Sequence, residues 1–170
     1  MNIFLSRILR AIKLEAQLFE EVEADQTALP QALGIVILSS LAVGLAALSK
    51  GLVASVFSGT LGALLGWFVW SYLIFFIGTR WLPGPETKAD YGQVLRTIGF
   101  AAAPGLIAII GILPFLYTLA ILVSTIWMLV ATIIAVRQVL DYQSIGRAVI
   151  VSLIGWIIFM LISWLFRLIF

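Results

Sequence analysis

Five long runs of apolar residues alternate with short polar segments along this chain of 170 residues. A transmembrane helix needs about 20 apolar residues, because each residue advances about 1.5 Å through a hydrocarbon layer about 30 Å thick. The runs approach or exceed that length, and we predict transmembrane helices over residues 29–48, 52–77, 96–113, 114–136 and 148–166. The pattern therefore predicts an all-α polytopic integral membrane protein whose membrane domain covers residues 29–170.

Residues 1–23 show the period of an amphipathic helix instead of a continuous apolar run. Phe4, Ile8 and Phe19 share one helical face, and Arg7 and Arg10 lie on the opposite face. We predict an N-terminal amphipathic interfacial helix that lies on the bilayer, followed by an acidic linker, both in the cytoplasm over residues 1–28. The alternative is that the apolar face packs against the protein's own helices.

The acidic residues at the end of this region fall close together: Glu15, Glu20, Glu21, Glu23 and Asp25. Carboxylate oxygens can bind a divalent cation, but the spacing lacks the glycine turn of a calcium-binding loop. We therefore predict no metal site here, because a solvated helix end and linker explains the stretch more simply. Cation binding between Glu15 and Asp25 stays open at this point.

Composition narrows the functional classes. Apolar residues make up 63% of the chain and charged residues 11%, whereas soluble domains carry about 25% charged residues. The mean hydropathy is +1.18. The chain has no cysteine and no histidine, which removes disulfides, thiolate metal sites and imidazole acid–base chemistry. We predict a protein that is not an enzyme, uses no cofactor and binds no nucleic acid.

Basic residues are distributed unevenly between the two sides of the membrane that five crossings define. Of the ten Lys and Arg residues, only Lys50 and Arg167 fall on the side opposite the amino terminus. Short loops rich in Lys and Arg remain in the cytoplasm. We therefore predict a multi-pass protein of the cytoplasmic (inner) membrane, with its amino terminus in the cytoplasm.

One short pattern occurs twice, near the start of the third and fifth predicted spans: Asp-Tyr, with an Arg six residues after the Asp. An Asp can cap a helix amino terminus, a Tyr suits headgroup depth, and an Arg can reach a lipid phosphate. We predict a cytoplasmic patch that binds a partner protein or an anionic lipid headgroup. The alternative is that residues suited to interfaces simply recur at interfaces. The patch consists of Asp90, Tyr91, Arg96, Arg137, Asp141, Tyr142 and Arg147.

Small residues and one proline mark the second and third predicted spans. Gly62 and Gly66 in the second span, and Gly99 and Gly105 in the third, allow helix backbones to approach closely. We expect most of this packing within the chain, with homo-oligomerisation as the alternative. Pro104 predicts a kink whose freed carbonyl must be satisfied by neighbouring protein or water, so the third helix should lie inside the bundle.

No ionisable residue lies clearly inside a predicted span, which argues against an ion-coupled transporter. A passive channel or facilitator for a small or lipophilic solute remains the alternative function, with a path past the kink at Pro104. Hydroxyl residues such as Ser39, Ser40 and Thr132 could line that path, although such side chains more often bond to helix carbonyls.

Four segments resemble the Yip family of membrane proteins, named for their interaction with Ypt/Rab GTPases. They are F-E-E-V-E-A-D at 19–25, A-D-Y-G-Q-V-L-R-T-I-G-F-A-A-A-P-G at 89–105, A-V-R-Q from 135 and G-R-A from 146. The resemblance covers roughly Phe19 to Trp156. It implies five membrane helices, a cytoplasmic amino terminus and, in eukaryotic members, a role in vesicle trafficking through prenylated GTPases.

The chain departs from those members in two respects. The long cytosolic amino-terminal region is missing, and the family's Asp-x-Tyr-Gly signature survives only as Asp90-Tyr91-Gly92. The chain is therefore more similar to a compact prokaryotic branch, to which the trafficking role does not simply carry over. We predict a non-enzymatic membrane scaffold that contacts membrane lipids and recruits a cytoplasmic or membrane protein, with a homo-oligomer as a further hypothesis.

Overall fold

The computed structural model describes residues 2–48, 50–52 and 55–169. Within these ranges the chain forms α-helices joined by short segments, and no β-strand is present. Met1, Ser49, Val53, Ala54 and Phe170, which the predicted ranges include, lie outside the described residues. The helices are α1 (Ile3–Ile12), α2 (Ala16–Ala24), α3 (Leu29–Leu48), α4 (Ser55–Phe76), α5 (Tyr91–Phe100), α6 (Tyr117–Val139) and α7 (Ile145–Ile169).

Five helical stretches are long and apolar enough to cross a membrane. They run over Gln26–Leu48, Val56–Trp81, Tyr91–Ile112, Tyr117–Val139 and Ile145–Ile162. The second stretch continues α4 through the π-helical turn Ile77–Trp81, and the third continues α5 through the 3-10 helix Ala103–Ile112. The predicted all-α fold with five membrane-spanning helices is confirmed.

The third span begins at Tyr91, five residues before the start expected from the apolar run. The Asp90 carboxylate accepts a hydrogen bond from the Gln93 amide, and the Gln93 side chain accepts one from the Asp90 amide. This reciprocal capping box satisfies amides that the first helical turn would otherwise leave unpaired. The earlier start places Arg96 inside the helix and not at its end.

The third span is the central element of the bundle. In its most apolar window 67% of the residues are buried, against at most 44% in any other span. Gly99 lies against Ala32 of α3, and Gly111 lies against Ala46 of α3 and Ala120 of α6. These close approaches leave little room for larger side chains between the three helices.

The helical path of the third span changes at Pro104. The α-helix ends at Phe100, and the chain continues from Ala103 as a 3-10 helix with Pro104 in its first turn. The Ser39 hydroxyl of α3 donates a hydrogen bond of 2.7 Å to the Ala102 carbonyl at this break. The Gly105 amide donates to the same carbonyl at 2.9 Å. The Ser39 hydroxyl therefore adds a second bond, which links α3 to the break in the third span.

The amino-terminal region forms two helices where one continuous helix was expected. Leu14 adopts a φ of 62°, a left-handed conformation that ends α1 and turns the chain into α2. Ile8 of α1 and Phe19 and Val22 of α2 are buried in the hydrophobic core of the protein. The apolar face of this region therefore packs on the protein's own helices, whereas the side chains of Ile3, Leu5 and Leu9 remain exposed.

Candidate functional site

The acidic stretch is engaged by the arginines of α1. Arg7 pairs with Glu21 and Asp25, each at 2.8 Å, and Arg10 pairs with Glu15 and Glu21. The hydrogen bond from Arg10, helped by Arg7, lowers the pKa of Glu21 below its usual value. No cluster of carboxylates suited to a metal ion is found among the described residues. These ion pairs link α1 to α2 and to the segment that follows it, and Arg7 also donates to the Gln31 side chain at the start of α3 at 3.0 Å.

Arg96 is a buried cation of the predicted patch, with 8% of its surface exposed. Its guanidinium donates hydrogen bonds to the carbonyls of Val22 and Glu23 at the end of α2. Carbonyls in the last turn of a helix have no partner within the helix, and a cation there also complements the helix dipole. Arg96 therefore fastens α2 to α5 and is not available to a partner from solution.

The second Asp-Tyr copy forms a tight turn after α6. The Tyr142 hydroxyl is buried and donates to the Leu82 carbonyl at 2.7 Å, and Arg137 Nε donates to the Tyr142 carbonyl. The Thr87 hydroxyl donates to the Leu140 carbonyl. These contacts hold the segment 82–90 against the turn 140–144. We call the end of the bundle formed by this segment, this turn and α2 the polar end.

The first copy is also occupied by local contacts. Asp90 is committed to capping α5, and the Tyr91 hydroxyl donates to the Phe68 carbonyl of α4 at 3.0 Å. In the second copy, Asp141 lies in the turn that follows α6 and has a φ of 51°. The structure therefore brings the predicted patch residues to one end of the bundle, but most of them bond to the chain itself.

Arg147 is an exposed cation of the predicted patch and borders an open cleft. The cleft has a volume of about 670 Å³ and is lined on its other sides by Leu82, Pro85, Tyr142 and the start of α7. The guanidinium lies 5.6 Å from the centre of the Tyr142 ring, and one Nη donates to the Pro83 carbonyl at 3.4 Å. A cation beside the amino terminus of a 25-residue helix favours an anionic group.

Two differently charged surfaces lie side by side at the polar end. The described residues form ion pairs only through Arg7 and Arg10, which leaves the exposed Arg80, Lys88 and Arg147 without a carboxylate partner. The basic surface is therefore formed by Arg80 in the π-helical turn after α4, Lys88 in the segment before α5, and Arg147 at the start of α7.

The acidic surface is centred on Glu23 of α2. Burial raises the pKa of Glu23 to about 7, the charge of Asp141 adds to the rise, and Arg96 opposes it. Glu20 and Asp90 contribute smaller repulsions. Glu23 is therefore the carboxyl of the polar end whose charge changes near neutral pH.

A second candidate site is a cavity of about 570 Å³ between α3, α4, α5, α6 and α7. Gly59, Ala63 and Gly66 of α4 face it, and because they are so small they leave the space unfilled. The sequence contains this signal as small residues at helical spacing on α4. The convergence of five helices around them was not predicted.

The glycines and the proline expected to mediate packing fall into two groups. An added Cβ on Gly99 would lie 2.7 Å from Ala32 Cβ, and one on Gly105 would lie 2.9 Å from Met128 Sδ. Gly66 has an ordinary contact with Phe159 across the cavity. Among the described residues nothing lies within 4 Å of a Cβ added at Gly62. Close packing within the chain therefore involves the third span, where Pro104 is buried, more than the exposed part of α4.

Hydroxyl groups in the spans bond mainly to helix carbonyls. Ser40 donates to Ile37, Thr60 to Val56 and Ser124 to Ile121, each from its hydroxyl to a carbonyl one turn earlier. Side chains used in this way give a solute little to bind.

The chain was compared with protein families, curated proteins and solved structures. The family model described as the Yip1 domain matches residues 15–166. No curated protein and no solved structure matches. The family match spans α2 and all five membrane-crossing stretches.

Proposed function

Because this chain belongs to the Yip1 domain family, we propose that it is a non-enzymatic membrane scaffold whose polar end recruits an anionic lipid headgroup. The family and the five spans make it a multi-pass membrane protein. The proposal adds that the polar end faces the cytoplasm at the inner membrane, where anionic lipids attract Lys and Arg. A partner protein that binds the same cations is the competing form of this scaffold role.

The cleft beside Arg147 is the observation that carries the proposal. It joins the exposed Arg147 guanidinium, the Tyr142 ring, Leu82 and Pro85 and the first turn of α7 in one concave surface. The side chains of Arg80 and Lys88 add uncompensated positive charge at the same end of the bundle. Such a surface suits a phosphate group at headgroup depth.

Lipid retention by the purified protein tests the proposal. The protein is extracted in a mild detergent, exchanged into nanodiscs of phosphatidylcholine containing a small fraction of phosphatidylglycerol, and the lipids that stay bound after re-extraction are measured by mass spectrometry. We expect phosphatidylglycerol to be enriched. Arg147→Gln should reduce the enrichment about fivefold, since one Lys or Arg near a membrane surface contributes about 1 kcal/mol.

Lys50→Gln provides the matched control. Lys50 is an exposed cation in the short connection between α3 and α4, at the end of α3 away from α2. Its loss should leave the enrichment unchanged, and both variants should keep the parent's melting temperature. Equal enrichment in the parent and in Arg147→Gln, or an equal loss in both variants, would contradict the headgroup site.

A further inference from the structure

The cavity between the spans is distinct from the polar end. Its walls include Ser39 and Ser40 near the middle of α3, and Met128 and Thr132 in the middle of α6. These residues lie about two to three turns from the nearest helix end, so the cavity lies at the depth of the hydrocarbon chains and not of the headgroups.

The lining gives water and ions little to bind. Ser39 donates to the Ala102 carbonyl, Ser40 to the Ile37 carbonyl, and the Trp67 indole N–H to the Leu95 carbonyl. A buried water needs two to four polar partners, whereas apolar cavities stay dry and accept apolar ligands. The size, about 570 Å³, falls within the range of pockets that hold small organic ligands.

The cavity is connected to the lipid-facing surface. Trp156 of α7 lines it and is 53% exposed, and the lining residues Val43 of α3 and Gly59 of α4 are exposed as well. A molecule already dissolved in the bilayer can therefore enter sideways, without crossing either headgroup layer.

We propose that this cavity holds one acyl chain of a membrane phospholipid, which enters from the bilayer at Val43, Gly59 and Trp156. Hydrocarbon chains surround the protein at this depth, and the lining matches them in polarity. The site stands apart from the proposed function, because it needs no anionic headgroup and no cation of the polar end.

Tryptophan quenching by brominated lipids tests the site directly. Trp67 lines the cavity and is only 6% exposed, so a bromine atom in the bulk bilayer has little access to it. A variant that keeps Trp67 and carries Phe at the other five Trp positions is reconstituted into vesicles made only of dibrominated phosphatidylcholine. A second variant keeps only Trp164, which is 60% exposed and reports contact with bulk lipid.

We expect the brominated chains to cause a loss of Trp67 emission comparable with that of Trp164, relative to vesicles of unbrominated lipid. Gly59→Phe in the Trp67 variant should fill the mouth of the cavity and restore most of the emission. Gly62→Phe is the matched control, since Gly62 lies one turn away on α4 outside the cavity lining. Among the described residues nothing lies within 4 Å of a Cβ added at either glycine.

Two results would overturn the site: unquenched Trp67 in the parent background, or equal quenching in Gly59→Phe and Gly62→Phe. If Gly59→Phe does not fold, Ala63→Phe fills the cavity from the next turn of α4 and is measured against the same control. The vesicles carry no anionic headgroup. A negative result here therefore leaves the proposal for Arg147 intact, and the lipid-retention experiment can fail without affecting this one.

Discussion

Replacing Arg96 with alanine tests how the amino-terminal helices are held to the bundle. Arg96 lies on α5 with 8% of its surface exposed, and its guanidinium donates to the carbonyls of Val22 and Glu23. Removing the side chain leaves those carbonyls at the end of α2 without their donor. The four ion pairs of Arg7 and Arg10 would still connect α1 with the acidic stretch, but they do not reach α5.

The size of the effect follows from the contacts. A hydrogen bond from a charged donor contributes about 1.5–3 kcal/mol. At the low end of that range, the two bonds of Arg96 together contribute about 3 kcal/mol. Since every 1.4 kcal/mol changes an equilibrium about tenfold, local opening of α2 should increase roughly a hundredfold.

Hydrogen–deuterium exchange measures this opening. The protein is exchanged in nanodiscs, and peptides covering α2 are followed by mass spectrometry, because amides in a locally opening helix exchange according to the opening equilibrium. We expect α2 to exchange about a hundredfold faster in Arg96→Ala, while peptides from α6 keep the parent's rate.

Arg147→Ala is the control for loss of a positive charge at the same end. Arg147 packs on the Tyr142 ring and donates to Pro83, so its loss should not release α2. If α2 exchanges no faster in Arg96→Ala than in Arg147→Ala, the assignment of Arg96 as the fastening between α2 and α5 is refuted.

Two further substitutions test the charge of α2 and the packing of the third span. Burial, reinforced by Asp141, raises the pKa of Glu23 to about 7 in the folded chain. The folded state therefore binds this proton more tightly than the unfolded state, and stability falls as the pH rises from the ordinary carboxyl range to about 7. Glu23→Gln should melt above the parent at about pH 8, and the difference should shrink at about pH 5; an unchanged difference would contradict the shift. Gly99→Ala should destabilise the protein by about 1–3 kcal/mol through overpacking, whereas Gly62→Ala should be neutral or stabilising by up to about 1 kcal/mol. Thermal unfolding in detergent compares the pair, and equal melting temperatures would refute the packing of the third span.

The sequence was sufficient to predict the five spans, because the hydrocarbon thickness sets a length that apolar runs must meet. It was less reliable in predicting the residue at which a span begins. The third apolar run starts near Arg96, yet the helix starts at Tyr91, because Asp90 and Gln93 form a capping box. That signal was present as an Asp followed three residues later by a Gln. Had this pair been interpreted as a capping box, Arg96 would have been expected inside the helix.

The roles of the patch residues depend on tertiary contacts that the sequence does not encode locally. Tyr142 and Arg96 look like headgroup ligands in the sequence, but one anchors the segment after α4 and the other holds α2. Leucine rarely adopts a left-handed backbone, so the residue type at position 14 does not indicate the turn found there. The cavity is harder still to predict, because it depends on how five helices converge.

The 3-10 half of the third span explains why the polar end and the cavity coexist in so short a chain. Ten residues of α-helix advance about 15 Å and ten of 3-10 helix about 20 Å, so α5 and Ala103–Ile112 together cross a layer about 30 Å thick. The tighter 3-10 coil, with Gly105 and Gly111 at its contacts, lets α3 and α6 close around it. With both helices held to the third span, the small residues Gly59, Ala63 and Gly66 of α4 leave a gap on the facing side, and this gap is the cavity. The same span that carries Arg96 to α2 also lines the cavity through Ile98, Ala101 and Ala102, so both sites depend on how it packs.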